Sequence, residues 1–273
     1  MLGLRGKRDR KVSIYLEGKH PSFRDFIHVG IEGLLAQALR QWARSGYAEW
    51  LERRDSGHEA ESWRFWTNGP ARGQVAWGIL RDSSDSIGRP HPLFILACCY
   101  ARGWEKAWEQ LPRVLDESWK GMEYLAARRF HAADELQREM AALALKRPGL
   151  GADDSKQGVT SLRDNAGCAG MESMEQELGR QRIKRCRVLR FFLGGDASAS
   201  AIDNVLAWHM LLKQQISMVP RAVFAGGPAA QPYLYVFYRP LVQQDFVDMW
   251  SISMHGNGEK YGHIQPRQDP DTW

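Results

Sequence analysis

The spacing of hydrophobic and polar residues in the first half of the chain predicts three successive β-strands. An aromatic run that begins at Trp63 ends at an Asn-Gly-Pro turn. Apolar residues then alternate with small or polar ones from Gln74 to Ile79, which is the two-residue period of a strand with one buried face. After a polar loop, the continuous apolar run from Leu93 to Cys99 is typical of a strand buried on both faces. Short connections between consecutive strands favour an antiparallel meander.

Helical spacing flanks this meander on both sides. Apolar residues recur at steps of three and four from Ile31 to Leu51, which predicts an amphipathic helix interrupted near Ser45 and Gly46. The same spacing from Gly103 to Lys146 predicts a predominantly helical region. A short strand over Val12–Leu16 is predicted before the first of these helical regions.

The pattern changes after Arg147. Turn-forming residues dominate as far as Gly179, and we interpret this stretch as a linker or a long surface insertion. The remaining elements are predicted in the order strand, helix, strand, strand and short helix, over residues 188–193, 202–216, 223–225, 233–238 and 245–250.

Together these elements predict an α+β protein with a mostly antiparallel sheet flanked by helices and a smaller C-terminal α/β part. We expect an N-terminal domain over residues 12–145, a linker or insertion over 146–184, a C-terminal part over 185–255 that packs on the first domain or continues it, and a tail over 256–273.

Composition restricts the function classes. The chain has 273 residues, a net charge of +5 and eleven tryptophans, most of which we expect in the core or as interface anchors. Basic and acidic residues are mixed along the chain and no nucleic-acid-binding motif is present, so nucleic-acid binding is not predicted. No signal-peptide core and no apolar run of about 18 residues is found, so we expect a cytoplasmic protein with reduced thiols and no membrane insertion.

The polar loop from Asp82 to Pro90 and the histidine that follows it carry the candidate chemistry. Ser84, Asp85 and His91 are close in sequence, but no nucleophile elbow, P-loop or paired metal-ligand spacing accompanies them. We therefore predict no catalytic residues, no metal and no cofactor. Asp85 and Arg89 are four residues apart, and we interpret them first as a buried ion pair that fixes the loop and second as partner-binding residues. A small hydrolase or nucleotide-handling enzyme that uses Ser84, Asp85, Arg89 and His91 is the alternative.

At these residues the sequence resembles the TagF (also ImpM) family of bacterial type VI secretion accessory proteins. The resemblance rests on an opening Gly-Lys-x-Pro with a following Asp-Phe, a Trp-Arg-Phe strand, a Trp-Gly pair, and an Asp-x-x-Gly-Arg loop followed by Pro-Leu. The residues that carry it, besides Asp85 and Arg89, are Gly18, Lys19, Pro21, Asp25, Phe26, Trp63, Arg64, Phe65, Trp77, Gly78, Gly88, Pro92 and Leu93. We interpret these as structural. One departure is Arg24, where the family usually has glycine before the aspartate.

The resemblance implies a function, whereas composition and residue spacing alone indicate only the fold class. It implies a non-catalytic accessory protein of type VI secretion, a post-translational regulator that represses assembly. The implied mechanism is protein–protein binding to a scaffold protein of the system that carries a forkhead-associated domain.

Overall fold

A computed structural model describes residues 12–30, 32–53, 59–148, 168–180, 187–194 and 201–252. The predicted tail and most of the predicted linker lie outside these ranges. None of the helices in the described ranges is long and apolar enough to cross a membrane.

Eight antiparallel strands form one sheet in the order β2-β1-β5-β4-β3-β7-β8-β6, which confirms the predicted α+β class. The strands are β1 Ser13–Gly18, β2 Ile27–Gly30, β3 Glu61–Asn68, β4 Gln74–Arg81, β5 Leu93–Tyr100, β6 Val188–Phe192, β7 Ala222–Pro228 and β8 Tyr233–Phe237. The predicted meander is β3-β4-β5, with Trp66 opposite Trp77 in the register of its first pair.

Helices cover both faces of the sheet. They are α1 Leu34–Arg53, α2 Leu111–Ala127, α3 Ala133–Ala142, α4 Cys168–Arg180, α5 Ala201–Gln215 and α6 Gln243–Trp250, and a 3₁₀ helix at Trp104–Gln110 leads into α2. Pro112 lies in the first turn of α2, where its missing N–H costs no helical hydrogen bond.

The alternation of side chains along each strand divides the core into two layers. In β3, Trp66 faces the layer shared with α2, α3 and α5, whereas Trp63 and Phe65 face the layer shared with α1 and α6. Successive strand residues point to opposite faces, so the aromatic run that begins at Trp63 supplies both layers.

The structure corrects one sequence prediction and adds two elements that were not predicted. Helix α1 runs without interruption through Ser45 and Gly46, where a Cβ on Gly46 would lie 2.3 Å from Cβ of Phe246; the glycine therefore permits α6 to approach closely. Strand β2 was not predicted, because its four residues are half exposed and carry little apolar signal. Helix α4 lies inside the stretch interpreted as a linker, and its Leu178 is buried in the core.

Strands from the C-terminal part continue the sheet of the N-terminal part. Strand β7 pairs with β3 over seven residue pairs, with Phe224 opposite Phe65. The close approach of the two backbones explains Gly226, where φ is +142° and a Cβ would lie 2.1 Å from the carbonyl oxygen of Ser62.

Candidate functional site

Two loops emerge side by side at one end of the sheet. Gly18 ends β1 directly opposite Leu93, which begins β5. The contact is so close that a Cβ on Gly18 would lie 2.2 Å from the carbonyl oxygen of Pro92. Residues 19–26 and 82–92, which we call the loop pair, therefore meet in space although they are far apart in sequence.

Asp85 is the buried centre of the loop pair, with 2% of the residue exposed. Its Oδ1 accepts hydrogen bonds from the backbone N–H groups of Ile87 and Arg89, at 3.2 and 2.9 Å. Its Oδ2 accepts from Nε of Arg89 at 2.7 Å and lies 3.0 Å from Nζ of Lys19. Burial alone would raise the pKa of Asp85, but the hydrogen bonds from Arg89, Lys19 and Ile87 outweigh it and hold the pKa below its ordinary value.

Arg89 and Lys19 connect the two loops. The predicted Asp85–Arg89 ion pair is present, and Nη2 of Arg89 also donates to the carbonyl oxygen of Arg24 at 2.6 Å. Lys19 is buried and donates to the carbonyl oxygen of Arg89 at 3.2 Å. A backbone hydrogen bond from Ser86 N–H to the carbonyl oxygen of Phe23, 2.8 Å long, adds a third link.

Asp25 and Phe26 lie on the outside of the loop pair. The side chain of Asp25 is 85% exposed, and its Oδ1 is 3.3 Å from Nη2 of Arg89. No backbone donor to Asp25 is seen among the described residues, and its side chain contacts Arg89 instead. Phe26 is 48% exposed, with its ring 4.5 Å from that of His91 and 5.5 Å from Nζ of Lys19.

The geometry does not assemble Ser84, Asp85 and His91 into a hydrogen-bonded relay. Nδ1 of His91 donates to the carbonyl oxygen of Pro92 at 2.9 Å, since a carbonyl can only accept, and burial lowers the pKa of the ring. Ser84 forms a backbone bridge with Pro90. Both carboxylate oxygens of Asp85 are occupied by Lys19, Arg89 and backbone donors, so none of the contacts seen orients the imidazole as a base.

The Trp-Arg-Phe segment of β3 attaches helices to both faces of the sheet. Arg64 reaches α2, where Nε lies 2.6 Å from Glu123 and Nη1 lies 2.9 Å from Asp116. Trp63 and Phe65 are fully buried on the opposite face. These contacts account for all three residues as parts of the fold.

The remaining motif residues also lie in packed positions. Trp77 is fully buried, and a Cβ on its neighbour Gly78 would lie 2.0 Å from the carbonyl oxygen of Ile95, so only glycine fits there. Pro92 and Leu93 are buried where the loop enters β5. Gly88 adopts a φ of +84° in the turn that closes around Asp85.

Pro21 positions the first loop against α2. Its carbonyl oxygen accepts a hydrogen bond from Arg129 at 3.0 Å. Beside it, the fully buried ring of His20 accepts the Ser22 N–H at Nδ1, so Nε2 carries the proton and donates to the carbonyl oxygen of Leu125 at 3.1 Å. The loop pair is thus fixed to the helical layer as well as to the sheet.

Glu17 forms a second charged cluster beside the loop pair, which the sequence analysis did not identify. The carboxylate lies 3.4 Å from Nε of Arg40 and 3.3 Å from Nε of Arg44, both on α1, and accepts a hydrogen bond from the Tyr15 hydroxyl. A second carboxylate, Glu32, lies 2.6 Å from Arg40 and completes the charge balance. The cluster attaches α1 to β1, the second strand of the sheet.

Ile87 was also missed, although the sequence contained a signal for it. It is the one apolar residue between Asp82 and Pro90, and it is 56% exposed at the tip of the second loop. An apolar residue in an otherwise polar loop is a pattern that sequence analysis can detect.

No group of three or more His, Cys, Asp or Glu side chains suited to a metal ion occurs in the described ranges. His209, on α5, is buried between aromatic side chains, and Trp66 donates to its Nε2 at 3.0 Å. Nδ1 donates to the carbonyl oxygen of Val205 at 2.7 Å, and burial lowers the pKa of the ring to about 4. Both ring nitrogens therefore have protein partners.

Comparison with known proteins agrees with the resemblance seen in the sequence. Residues 16–145 match the family model of the TagF N-terminal domain, described as type VI secretion system-associated. The crystal structure of PA0076 from Pseudomonas aeruginosa PAO1 is similar with a TM-score of 0.51 and 14% identity, over 93% of this chain and 98% of that one. At this identity the similarity concerns the fold alone. No curated protein matches the chain.

Proposed function

Residues 16–145 belong to the TagF N-terminal domain family, which is associated with type VI secretion, and from this premise we propose a regulatory function for the chain. The protein is a non-catalytic, cytoplasmic accessory protein that represses assembly of a bacterial type VI secretion system after translation. It acts by binding the scaffold protein of the system that carries a forkhead-associated domain.

The family match is the observation that carries this proposal, and the loop pair supports its non-catalytic part. The charged groups of the loop pair already have partners within the protein, because Asp85, Lys19 and Arg89 bind one another and the backbone. A reaction would need a side chain left free to act as a base or a nucleophile. A binding surface needs only that the loops keep their shape.

The direct test mixes the purified full chain with the purified forkhead-associated-domain scaffold of the same secretion system and measures binding by calorimetry. We expect a saturable complex. In parallel, raising the level of the chain in the cells should lower secretion, and deleting its gene should increase it. Absence of binding at concentrations up to about 0.1 mM would contradict the proposed mechanism, because specific regulatory complexes are tighter than this. Reduced secretion after deletion would contradict repression.

A further inference from the structure

The outer side of the loop pair presents apolar and charged groups together. We define the loop-pair surface as the exposed residues Arg24, Asp25, Phe26, Ile87, Arg89 and Pro90. Two hydrogen bonds join the loops that carry it. The N–H of Ser86, next to Ile87, donates to Phe23, and the side chain of Arg89 donates to Arg24, two residues before Phe26. The surface is therefore a single unit.

We propose that the loop-pair surface is the docking site for the protein partner, and that the partner offers an apolar socket with an acidic rim. This inference rests on the proposed function, because it names the surface through which the chain would bind its scaffold. Asp85, which the sequence analysis named together with Arg89 as a partner-binding residue, acts in this arrangement from inside the loop by holding its shape.

The two exposed apolar residues are anchored in different ways, Phe26 by contacts of its ring and Ile87 by a hydrogen bond of its backbone. Phe26 is 48% exposed, and its ring lies edge-on to His91 with 4.5 Å between centroids. Ile87 is 56% exposed, and its backbone N–H is bonded to the buried carboxylate of Asp85. Side chains that are ordered before binding lose little conformational entropy on binding, and anchors of this kind supply most of the binding energy of an interface.

The charges around these anchors leave an excess of positive charge. The Lys19–Asp85 and Arg89–Asp25 pairs each contain one charge of either sign. Arg24 on the surface and Arg129 next to it form no ion pair with a carboxylate of the described residues, and Arg129 bonds only the carbonyl oxygen of Pro21. An acidic rim on the partner would complement this charge and increase the rate of association.

The loop-pair surface differs from the exposed position of Tyr124. Tyr124 is 56% exposed, but it lies on the polar face of α2 with Arg128 over its ring. Single exposed apolar residues are normal on protein surfaces, whereas two on cross-linked loops form a patch. Tyr124 is for this reason a suitable control.

The test measures the dissociation constant of the full chain for the purified forkhead-associated-domain scaffold. Phe26→Ala and Ile87→Ser are each expected to weaken binding by at least about tenfold, whereas Tyr124→Ala should change it by less than about twofold. Thermal unfolding of each variant verifies the fold. The Phe26 ring contacts Lys19, so Phe26→Ala could also disturb the ion pair of Lys19, whereas Ile87→Ser tests the surface without this effect.

Charge is tested separately. Arg24→Glu should weaken binding by about tenfold at low salt and by less at high salt, because salt screens the interaction between exposed charges. Arg113→Glu, at an exposed position of α2, is the matched control and should have little effect.

The two sets of variants separate this inference from the proposed function. If the natural chain binds and the loop-pair variants bind equally well, the assignment of the docking site to this surface is overturned and the proposed function stands. If the natural chain does not bind, the proposed function fails and this inference fails with it.

Discussion

The ammonium group of Lys19 lies 3.0 Å from the carboxylate of Asp85, and 9% of the lysine side chain and none of the aspartate side chain is exposed. A pair this far from water costs desolvation energy, which is recovered only when further hydrogen bonds satisfy both groups. Here Asp85 has three more donors and Lys19 has the carbonyl oxygen of Arg89. The pair therefore depends on both loops being in place.

Replacing Lys19 by Met should loosen the loop pair. The change leaves a buried carboxylate with fewer partners, so we expect the thermal unfolding midpoint at neutral pH to fall by several degrees. Lys120→Met is the matched control, because that lysine is 55% exposed and lies between Asp116 and Glu117 on the surface of α2. Equal effects of the two changes would show that burial of the Lys19 pair has no special importance.

The same substitution should also increase sensitivity to acid. The pKa of Asp85 is below its ordinary value of 3.8, so its stabilising contribution is complete above that pH and is lost as the pH falls through the lower value of the folded state. Without the Lys19 charge the pKa of Asp85 rises, so the carboxylate contributes less stability and that contribution is gone at a higher pH. The variant should therefore unfold in acid at a higher pH than the natural chain. Tryptophan fluorescence recorded during an acid titration measures the pH of unfolding. An equal pH of unfolding for the variant and the natural chain would contradict this prediction.

Glu61 should make the protein less stable as the pH rises. The residue is 1% exposed, and its pKa is raised to about 9 mainly by burial and further by the charge of Asp82, against a hydrogen bond from Trp63 that lowers it. The folded chain therefore keeps a proton that the unfolded chain releases above its ordinary pKa of 4.5. Stability is complete below that value and falls until the pH reaches about 9.

Glu61→Gln is expected to remove this dependence. At neutral pH the variant should be more stable than the natural chain by about 1–3 kcal/mol, because the amide cannot ionise. Urea unfolding between about pH 5 and pH 8 measures the difference, with Glu59→Gln as the exposed control. Parallel losses of stability in the natural and variant chains would contradict the assignment of a neutral Glu61.

Gly78→Ala should destabilise the centre of the sheet. The new Cβ would lie 2.0 Å from the carbonyl oxygen of Ile95 and 2.9 Å from Cζ of Phe65, so the strands must separate. Overpacking of this kind costs about 1–3 kcal/mol or more, measured as a loss of free energy of unfolding in urea. Gly33→Ala has open space around the new Cβ and is the control. A neutral Gly78→Ala would mean that β4 and β5 can move apart at little cost.

Arg64→Met should weaken the attachment of α2 to the sheet. The guanidinium group, 27% exposed, contacts Asp116 and Glu123, and Met retains apolar bulk without the charge. We expect a loss of about 1–3 kcal/mol in the free energy of unfolding. Arg138→Met, which removes an exposed cation of α3, should have little effect. Faster amide hydrogen exchange in α2 would locate the change, and unchanged exchange there would contradict it.

The elements that follow from local sequence were predicted, and those that depend on distant partners were not. The meander was predicted because the two-residue period of residues 74–79 and the apolar run of residues 93–99 are properties of short segments. The pairing of β3 with β7 has no such local sign, since it depends on how the whole chain folds. Helix α4 was missed because the turn-forming residues around it hide its short apolar spacing.

The candidate site divides in the same way. The ion pair of Asp85 and Arg89 was predicted from their four-residue separation within one loop. The pair was predicted to be buried, which holds for Asp85 but not for the half-exposed Arg89. The contact of Asp85 with Lys19 was not predicted, because it joins two loops that are far apart in the sequence. The exposure of Phe26 was not predicted either, because an aromatic residue in a motif is usually buried. The structure shows that its ring lies partly outside the loop pair, packed against His91.

The pairing of β3 with β7 has a consequence for the order in which the chain folds during synthesis. Strand β3 is the outer strand of the meander until β7, about 150 residues later, has left the ribosome. Until then its backbone N–H and C=O groups on that side are unpaired, next to the apolar side chains of Trp63 and Phe65. An open, aromatic edge of this kind invites incorrect pairing with other chains. A fragment that stops at residue 145, where the family match ends, would keep that edge permanently and should aggregate when produced alone.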